Sequence, residues 1–356
     1  MGDGPPVPDT RVLAVASHVV SGYVGNKIAV FSMQSLGCDV AALNTVQFSN
    51  HTGYRQWTGT RVSAQEITDL YRGLQQSYLD DFDMMLSGYV PGAQALEAVG
   101  QIAQDLKAKA ARAEQPGSFF WVLDPVMGDN GNLYVAQDVV PVYKGLIAHA
   151  DLILPNQFEA ELLSEVKIID MPSLTRAIEA LHSRYGIPHV VITSVSLTHP
   201  DQPTKSLSVV GSTMTSARQT RAFKIVFPAI DCYFSGTGDM FAALMVVRMR
   251  EAVWNTPGLA ERASWLSEDG VDALELPLAK AAEKVLASMH EVLTKTCQAM
   301  DVKMERAQAE VVRGEEEGEG KEKKLHLLKS KAAELRLVRH LDSLRAPTIE
   351  FRATKF

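Results

Sequence analysis

Short apolar runs alternate with longer helical stretches along most of this chain, and that alternation restricts the fold more than any other feature. Arg11–Ser17, Cys38–Asn44, Met84–Ser87, Phe119–Leu123, Asp151–Leu154 and His189–Thr193 read as strands. Gly25–Leu36, Gln65–Tyr78, Ala93–Ala111, Gln137–His149, Phe158–Ser164 and Ser173–Tyr185 read as helices between and after them. Such an order builds βαβ units and a mostly parallel sheet, an α/β architecture. Two more strand-like runs, Leu207–Ser212 and Arg221–Phe227, lead into a glycine loop. Leu325–Leu341 resumes a helical pattern, and Thr348–Phe351 reads as a final edge strand.

Composition removes several classes of function. With 356 residues, 46% hydrophobic and 22% charged, the chain suits a soluble enzyme-sized fold. Its net charge of −7 supplies no global field to attract nucleic acid. Cys38, Cys232 and Cys297 lie far apart, so neither a disulfide framework nor a structural zinc site is expected. No apolar run reaches the length of a membrane span, and Met1–Thr10 lacks the basic start and apolar core of a signal peptide. The expected location is the cytoplasm. Residues 1–10 read as a flexible arm, and 11–356 as one domain. That domain carries a charged, mobile insertion at Arg313–Lys324, whose glycines, acids and bases include no apolar residue.

The richest local signal is Phe234-Ser235-Gly236-Thr237-Gly238-Asp239, followed by the apolar run Met240–Val253. A helix starting there aims its free N–H groups and positive dipole end at the glycines, which forms an anion pocket that a phosphate can approach closely. Asp239 at its mouth suits proton acceptance from an alcohol, as in phosphoryl transfer. The helix dipole is expected to keep that carboxyl ionised and a weak base. The same tetrapeptide also fits ordinary capping, with Asp239 as a plain cap.

In an open parallel sheet, ligands bind beyond the carboxyl ends of the strands. Here those ends carry Ser17-His18, Asn44 and the loop after it, Gly88-Tyr89, Asp124-Pro125-Val126-Met127-Gly128-Asp129, Pro155-Asn156-Gln157-Phe158-Glu159 and Thr193-Ser194. Asp124, Asp129 and Glu159 are hard oxygen donors of the kind that hold magnesium among carboxylates, water and phosphates. Asp129 in Gly-Asp-Asn-Gly is equally a plain turn residue. The loop Gln47–Trp57 mixes aromatics, amides and glycines and reads as a cover for a flat ligand, or as an ordinary surface loop. A Walker-type phosphate loop and a dinucleotide Gly-x-Gly-x-x-Gly are both missing.

Taken together, Ser17–Asn26, Asn44–Tyr54, Asp124–Asp129, Pro155–Leu163, Val191–Ser194 and Gly236–Asp239 resemble the ribokinase-like superfamily and, within it, the pyridoxal kinase family. The resemblance runs from about Arg11 to Met300. It implies a three-layer sandwich with a central mostly parallel sheet and helices on both faces. It also implies ATP-dependent phosphorylation of the 5′-hydroxymethyl group of pyridoxal, pyridoxine and pyridoxamine.

On that resemblance, Asp239 is the base, and Gly236, Thr237 and Gly238 form the anion hole. Ser17 and Thr52 contact polar groups of the pyridine ring, while Val24, Val46, Phe48, His51 and Tyr89 pack around it. Asp124, Asp129, Asn156 and Glu159 organise magnesium and phosphates, with Thr193 counted among the metal-site residues. Thr193, Ser194 and the segment Ile230, Asp231 and Cys232 line the nucleotide side. Magnesium or another divalent ion, a monovalent cation (K⁺ or Na⁺) and a homodimer are implied as well. Two departures stand out. Leu154 occupies a position where relatives often carry a threonine near the monovalent cation, and Ser21 one where several carry arginine. The competing readings are a hydroxymethylpyrimidine kinase of the same fold and a non-catalytic pyridoxal phosphate carrier.

Overall fold

The structure, a computed structural model, describes residues 4–197, 205–313 and 319–356. The first half builds strands β1 (Arg11–Val19), β2 (Asp39–Phe48), β3 (Gly59–Arg61), β4 (Met84–Ser87) and β5 (Phe120–Leu123). Helices α1 (Asn26–Ser35), α2 (Ala64–Gln76) and α3 (Ala93–Arg112) connect them. A small hairpin follows, β6 (Gly128–Asp129) with β7 (Asn132–Leu133), then α4 (Val139–Leu146), β8 (Leu152–Ile153), α5 (Gln157–Ser164) and α6 (Met171–Tyr185). The second half holds β9 (His189–Val195), β10 (Ser206–Thr213), β11 (Ala222–Pro228), α7 (Thr237–Trp254) and α8 (Pro277–Arg313). The chain ends through α9 (Glu319–Ala332), α10 (Leu341–Arg345) and β12 (Thr354–Lys355).

The main sheet has the order β12-β11-β10-β9-β8-β5-β4-β1-β2-β3. Its centre, from β2 through β1, β4, β5 and β8 to β9, is parallel, and antiparallel pairs close both edges. Successive strand residues serve opposite cores, as the pleat requires. Val12, Ala14, Met84, Leu86, Phe120 and Val122 face α1, α7 and α8. Leu13, Val15, Met85, Trp121 and Leu123 face the layer of α2 to α6. Being buried on both sides is why these strands are nearly continuous apolar runs. Helix α7 is sealed in as well: every residue from Met240 to Met249 is buried, Arg248 included. No helix among the described residues is long and apolar enough to cross a membrane.

Several sequence expectations need correction. Strand β2 does not stop at Asn44. It runs to Phe48, because Val46 and Phe48 pair with Arg61 and Gly59 of β3. The long helix α8 has no counterpart in the sequence reading, although Pro277 marks its first turn. The edge strand forms at Thr354–Lys355 rather than at Thr348–Phe351. Glu291 binds Thr348 N–H, and Glu283 binds Arg352 and Ala353 N–H, so α8 holds that stretch away from the sheet edge. In the charged segment, residues 314–318 lie outside the described residues. Residues 319–324 are helical rather than a loop, since Glu and Lys are good helix formers and α9 packs on α8. The arm before β1 is not loose along its described length: Val7 is 5% exposed in the core, and Thr10 O accepts from Asp39 N–H.

Candidate active site

The parallel strands end level with one another because amide-to-carbonyl bonds continue past them. Gly88 N–H donates to Val15 O, Asp124 N–H to Ser87 O, Leu154 N–H to Leu123 O and Thr193 N–H to Pro155 O, all at 2.8–3.0 Å. Ser17 sits at an irregularity in β1, between Ala16 and His18, where the register with β2 shifts. This ladder brings Ser17, Gly88-Tyr89, Asp124, Asn156 and Thr193 to one rim of the sheet.

The glycine loop meets that rim. Gly236 is the N-cap of α7, with φ +84°, and a Cβ there would lie 2.2 Å from Tyr23 O, so only glycine fits. The first helical bond runs from Met240 N–H to Gly236 O, and no side chain caps the helix. Asp239 is therefore in the first turn and is not the cap, which removes the plain-cap reading. Its carboxylate accepts from Gly25 N–H. One of its oxygens lies 3.9 Å from where a Cβ on Gly88 would stand, and an Asp124 oxygen lies 3.9 Å from the same point on Gly238. The ends of β1, β4 and β5 thus converge on the helix N-terminus.

The helix dipole, expected to keep Asp239 ionised and a weak base, is not the only influence on this carboxyl. Burial pushes its carboxyl upward, and the single bond from Gly25 only partly opposes this. Asp124 is driven well above the carboxylate range by burial and by the charges of Glu159 and Asp239. Glu159 is pushed up to about 7 by burial, against the bonds it accepts from Asn156, Met127 and Gly128 N–H. These acids form one buried electrostatic cluster, and among the described residues no lysine or arginine pairs with it.

Among the described residues, no three His, Cys, Asp or Glu side chains stand close enough together to hold an ion by themselves. Several of the expected oxygens already accept hydrogen bonds. Glu159 Oε1 accepts from Met127 and Gly128 N–H, and Oε2 from Asn156 N–H in a capping box at the start of α5. Both oxygens of Asp129 accept from Asn130. Among described residues, no hydrogen bond reaches the Asp124 carboxylate. Asn156 braces Gly128 O through Nδ2 and caps Glu159 N–H. The Tyr143 hydroxyl of α4 is buried near Asp124 and Glu159 without a hydrogen-bond partner among the described residues, a feature the sequence did not signal.

The other expected residues separate into groups. Phe48 packs on Trp57, and His51 on Tyr54. The 3₁₀ turn Thr52–Tyr54 carries an exposed Thr52 and brings Gly53 against Ser235 of the glycine loop. Tyr89 is half-buried and its carbonyl accepts from Thr45 Oγ1. Val24 touches Gly236, whereas Val46 is fully buried and can only back the pocket wall. Ser194 and Asp231 are exposed, and Ile230 is half-buried. The Cys232 sulfur faces Met300 of α8 at 3.4 Å. Burial and the neighbouring Cys297 push its thiol up to about 11. Leu154 points into the core and is 3% exposed.

A three-layer α/β fold with an uncapped helix, an acid in its first turn and strand-end carboxylates defines a ribokinase-like small-molecule kinase. Residues 98–253 match the family described as phosphomethylpyrimidine kinase. Human pyridoxal kinase is 38% identical over 302 residues, covering 82% of this chain and 86% of its own length. Sheep pyridoxal kinase is 37% identical over 297 residues, covering 81% and 86%. The structure of Leishmania donovani pyridoxal kinase with ADP and pyridoxamine superposes with a TM-score of 0.76 at 29% identity, covering 98% of this chain and all of that one. The chain belongs to the pyridoxal kinase family.

Proposed function

We propose that this chain transfers the terminal phosphoryl group of ATP to the 5′-hydroxymethyl group of pyridoxal, giving pyridoxal 5′-phosphate, and acts on pyridoxine and pyridoxamine as well. The observation that carries this reading is Asp239 in the uncapped first turn of α7, its carboxylate turned toward the ends of β1 and β4. Asp239 orients the hydroxymethyl group and accepts its proton as the oxygen attacks phosphorus. The N–H groups from Gly236 to Asp239 have no intrahelical partners, so they receive the charge that grows on the transferring phosphoryl oxygens. Ser17, Val24, Phe48, His51, Thr52 and Tyr89 surround the pyridine ring. Asn156, Thr193, Ser194 and the 230–232 backbone face the nucleotide.

A divalent ion suits an acid cluster that no described lysine or arginine neutralises. Asp124, with Asp129 and Glu159 through water, would hold magnesium, which neutralises phosphate charge when bound. A monovalent ion fits less well at position 154, because Leu154 offers no oxygen and its side chain belongs to the core. Activity without added potassium is the expected consequence. The reading includes a cytoplasmic homodimer, which light scattering would test.

The match of residues 98–253 to the phosphomethylpyrimidine kinase description keeps a second substrate in view. ADP release measured with pyridoxal and with hydroxymethylpyrimidine, each with and without potassium, separates the two. Turnover confined to pyridoxal and its vitamers supports the proposal. Preference for the pyrimidine overturns it, and vitamer binding without ADP release identifies a carrier.

A further inference from the structure

The turn between β2 and β3 is gripped by a residue that no motif announces. Just beyond α9, Glu334 reaches back to the rim with its side chain 19% exposed. Its Oε2 accepts from Tyr23 N–H at 3.0 Å, and its Oε1 from the Tyr54 hydroxyl at 3.0 Å. His51 Nε2 stands 3.3 Å from the same Oε1. Gly22, at φ +103°, makes room: a Cβ there would fall 2.6 Å from Glu334 Oε1. His326 of α9 adds a contact between its Nε2 and Gly53 O at 3.0 Å. One carboxylate therefore joins the turn after β1 to the turn after β2.

The chemistry of this junction is one-sided. Burial alone would raise the Glu334 carboxyl. The bonds from His51, Tyr54 and Tyr23 N–H outweigh it and hold the group below its ordinary range. A carboxylate accepts only, so the His51 nitrogen facing it must be the one that carries a proton. In the neutral ring, Nδ1 is then a bare acceptor. Nδ1 is buried and has no hydrogen-bond partner among the described residues. It lies beside Gly53, across from Ser235 of the glycine loop.

We infer that Glu334 is a positioning residue for the vitamer pocket, fixing the His51 tautomer and clamping the Thr52–Tyr54 turn against Tyr23. This rests on the proposed kinase reading, in which His51 and Thr52 border the pyridine ring. The residue acts through His51 and Tyr54 and does not touch the reacting atoms. Losing it loosens recognition of the vitamer while leaving the Asp239 chemistry and the nucleotide side intact.

The test uses the full chain with Glu334→Ala, and with Glu334→Gln, which keeps the volume but turns an amide donor toward groups that donate. Both are expected to raise KM for pyridoxal about tenfold or more, from loss of hydrogen bonds to a charged group. KM for ATP and kcat should stay within about twofold, the pattern of lost uniform binding. Long-range ¹H–¹⁵N spectra, with the His51 signals assigned by their loss in His51→Gln, should show the Nε2–H tautomer in the wild type and a mixture in Glu334→Ala. Unchanged pyridoxal KM in a folded Glu334 variant overturns the inference, as does an Nδ1–H ring in the wild type. If the wild type phosphorylates no vitamer, the kinase proposal fails, and the ring spectrum alone then decides the tautomer and the clamp.

Discussion

The Gly25 N–H donates to the Asp239 carboxylate, so the turn that follows β1 braces the first turn of α7. Gly25 has φ +54°, and a Cβ there would stand 2.0 Å from Ser17 O. Gly25→Ala should therefore cost about 1–3 kcal/mol or more in urea unfolding, and it should lower kcat by displacing Asp239. Wild-type stability together with wild-type turnover would show that the brace does not matter.

Asp239→Asn should lower kcat about 10²–10⁴-fold while leaving nucleotide affinity nearly intact. Because burial raises this carboxyl and only its ionised form accepts a proton, kcat should climb with pH across an acid limb above the ordinary value of about 3.9. The limb should disappear in the Asn variant. A pH–rate profile for each protein checks both statements.

Glu159 holds its proton to about pH 7 in the fold, whereas an unfolded glutamate releases it near about 4.3. Its contribution to stability is complete below the lower value and is lost as pH rises to the upper one. Thermal melts should show the wild type losing ground to Glu159→Gln across that window, with a constant difference above it. Filling the cluster with a cation requires those protons to leave, so magnesium–ADP should raise Tm more at pH 8 than at pH 6. Equal shifts at both pH values would separate the acid cluster from nucleotide binding.

Arg248 is 2% exposed inside α7. It binds Glu251 at 2.8 Å and the carbonyls of Leu344 and Arg345 at the end of α10. Arg248→Ala leaves Glu251 with Lys284 and strips both carbonyls, so a loss of about 3–5 kcal/mol is expected in denaturant unfolding. A loss below about 1 kcal/mol would mean that water replaces the guanidinium.

The sequence announces the parallel core because each strand is apolar on both faces, and it announces the rim because polar residues follow each strand immediately. Gly236-Thr237-Gly238-Asp239 is legible for the same local reason: the glycines, the acid and the apolar helix are contiguous. Glu334 is not legible. It is a lone acid in an ordinary stretch, and its role arises only when α9 folds back on α8. Tyr143 escapes notice as one aromatic in an apolar helix. The upward push on the Asp239 carboxyl is not legible either, because a dipole can be read from local sequence whereas burial depends on the whole fold. The hydrogen bonds of Glu159 are illegible for a related reason: they come from Met127 and Gly128, far away along the chain.

The spacing of the rim comes from main-chain bonds such as Gly88 N–H to Val15 O and Thr193 N–H to Pro155 O, not from the side chains mounted there. A side chain at one strand tip can therefore be exchanged without moving its neighbours. Such a platform lets a lineage change the alcohol it accepts by swapping a few tips while inheriting the phosphate-handling geometry unaltered.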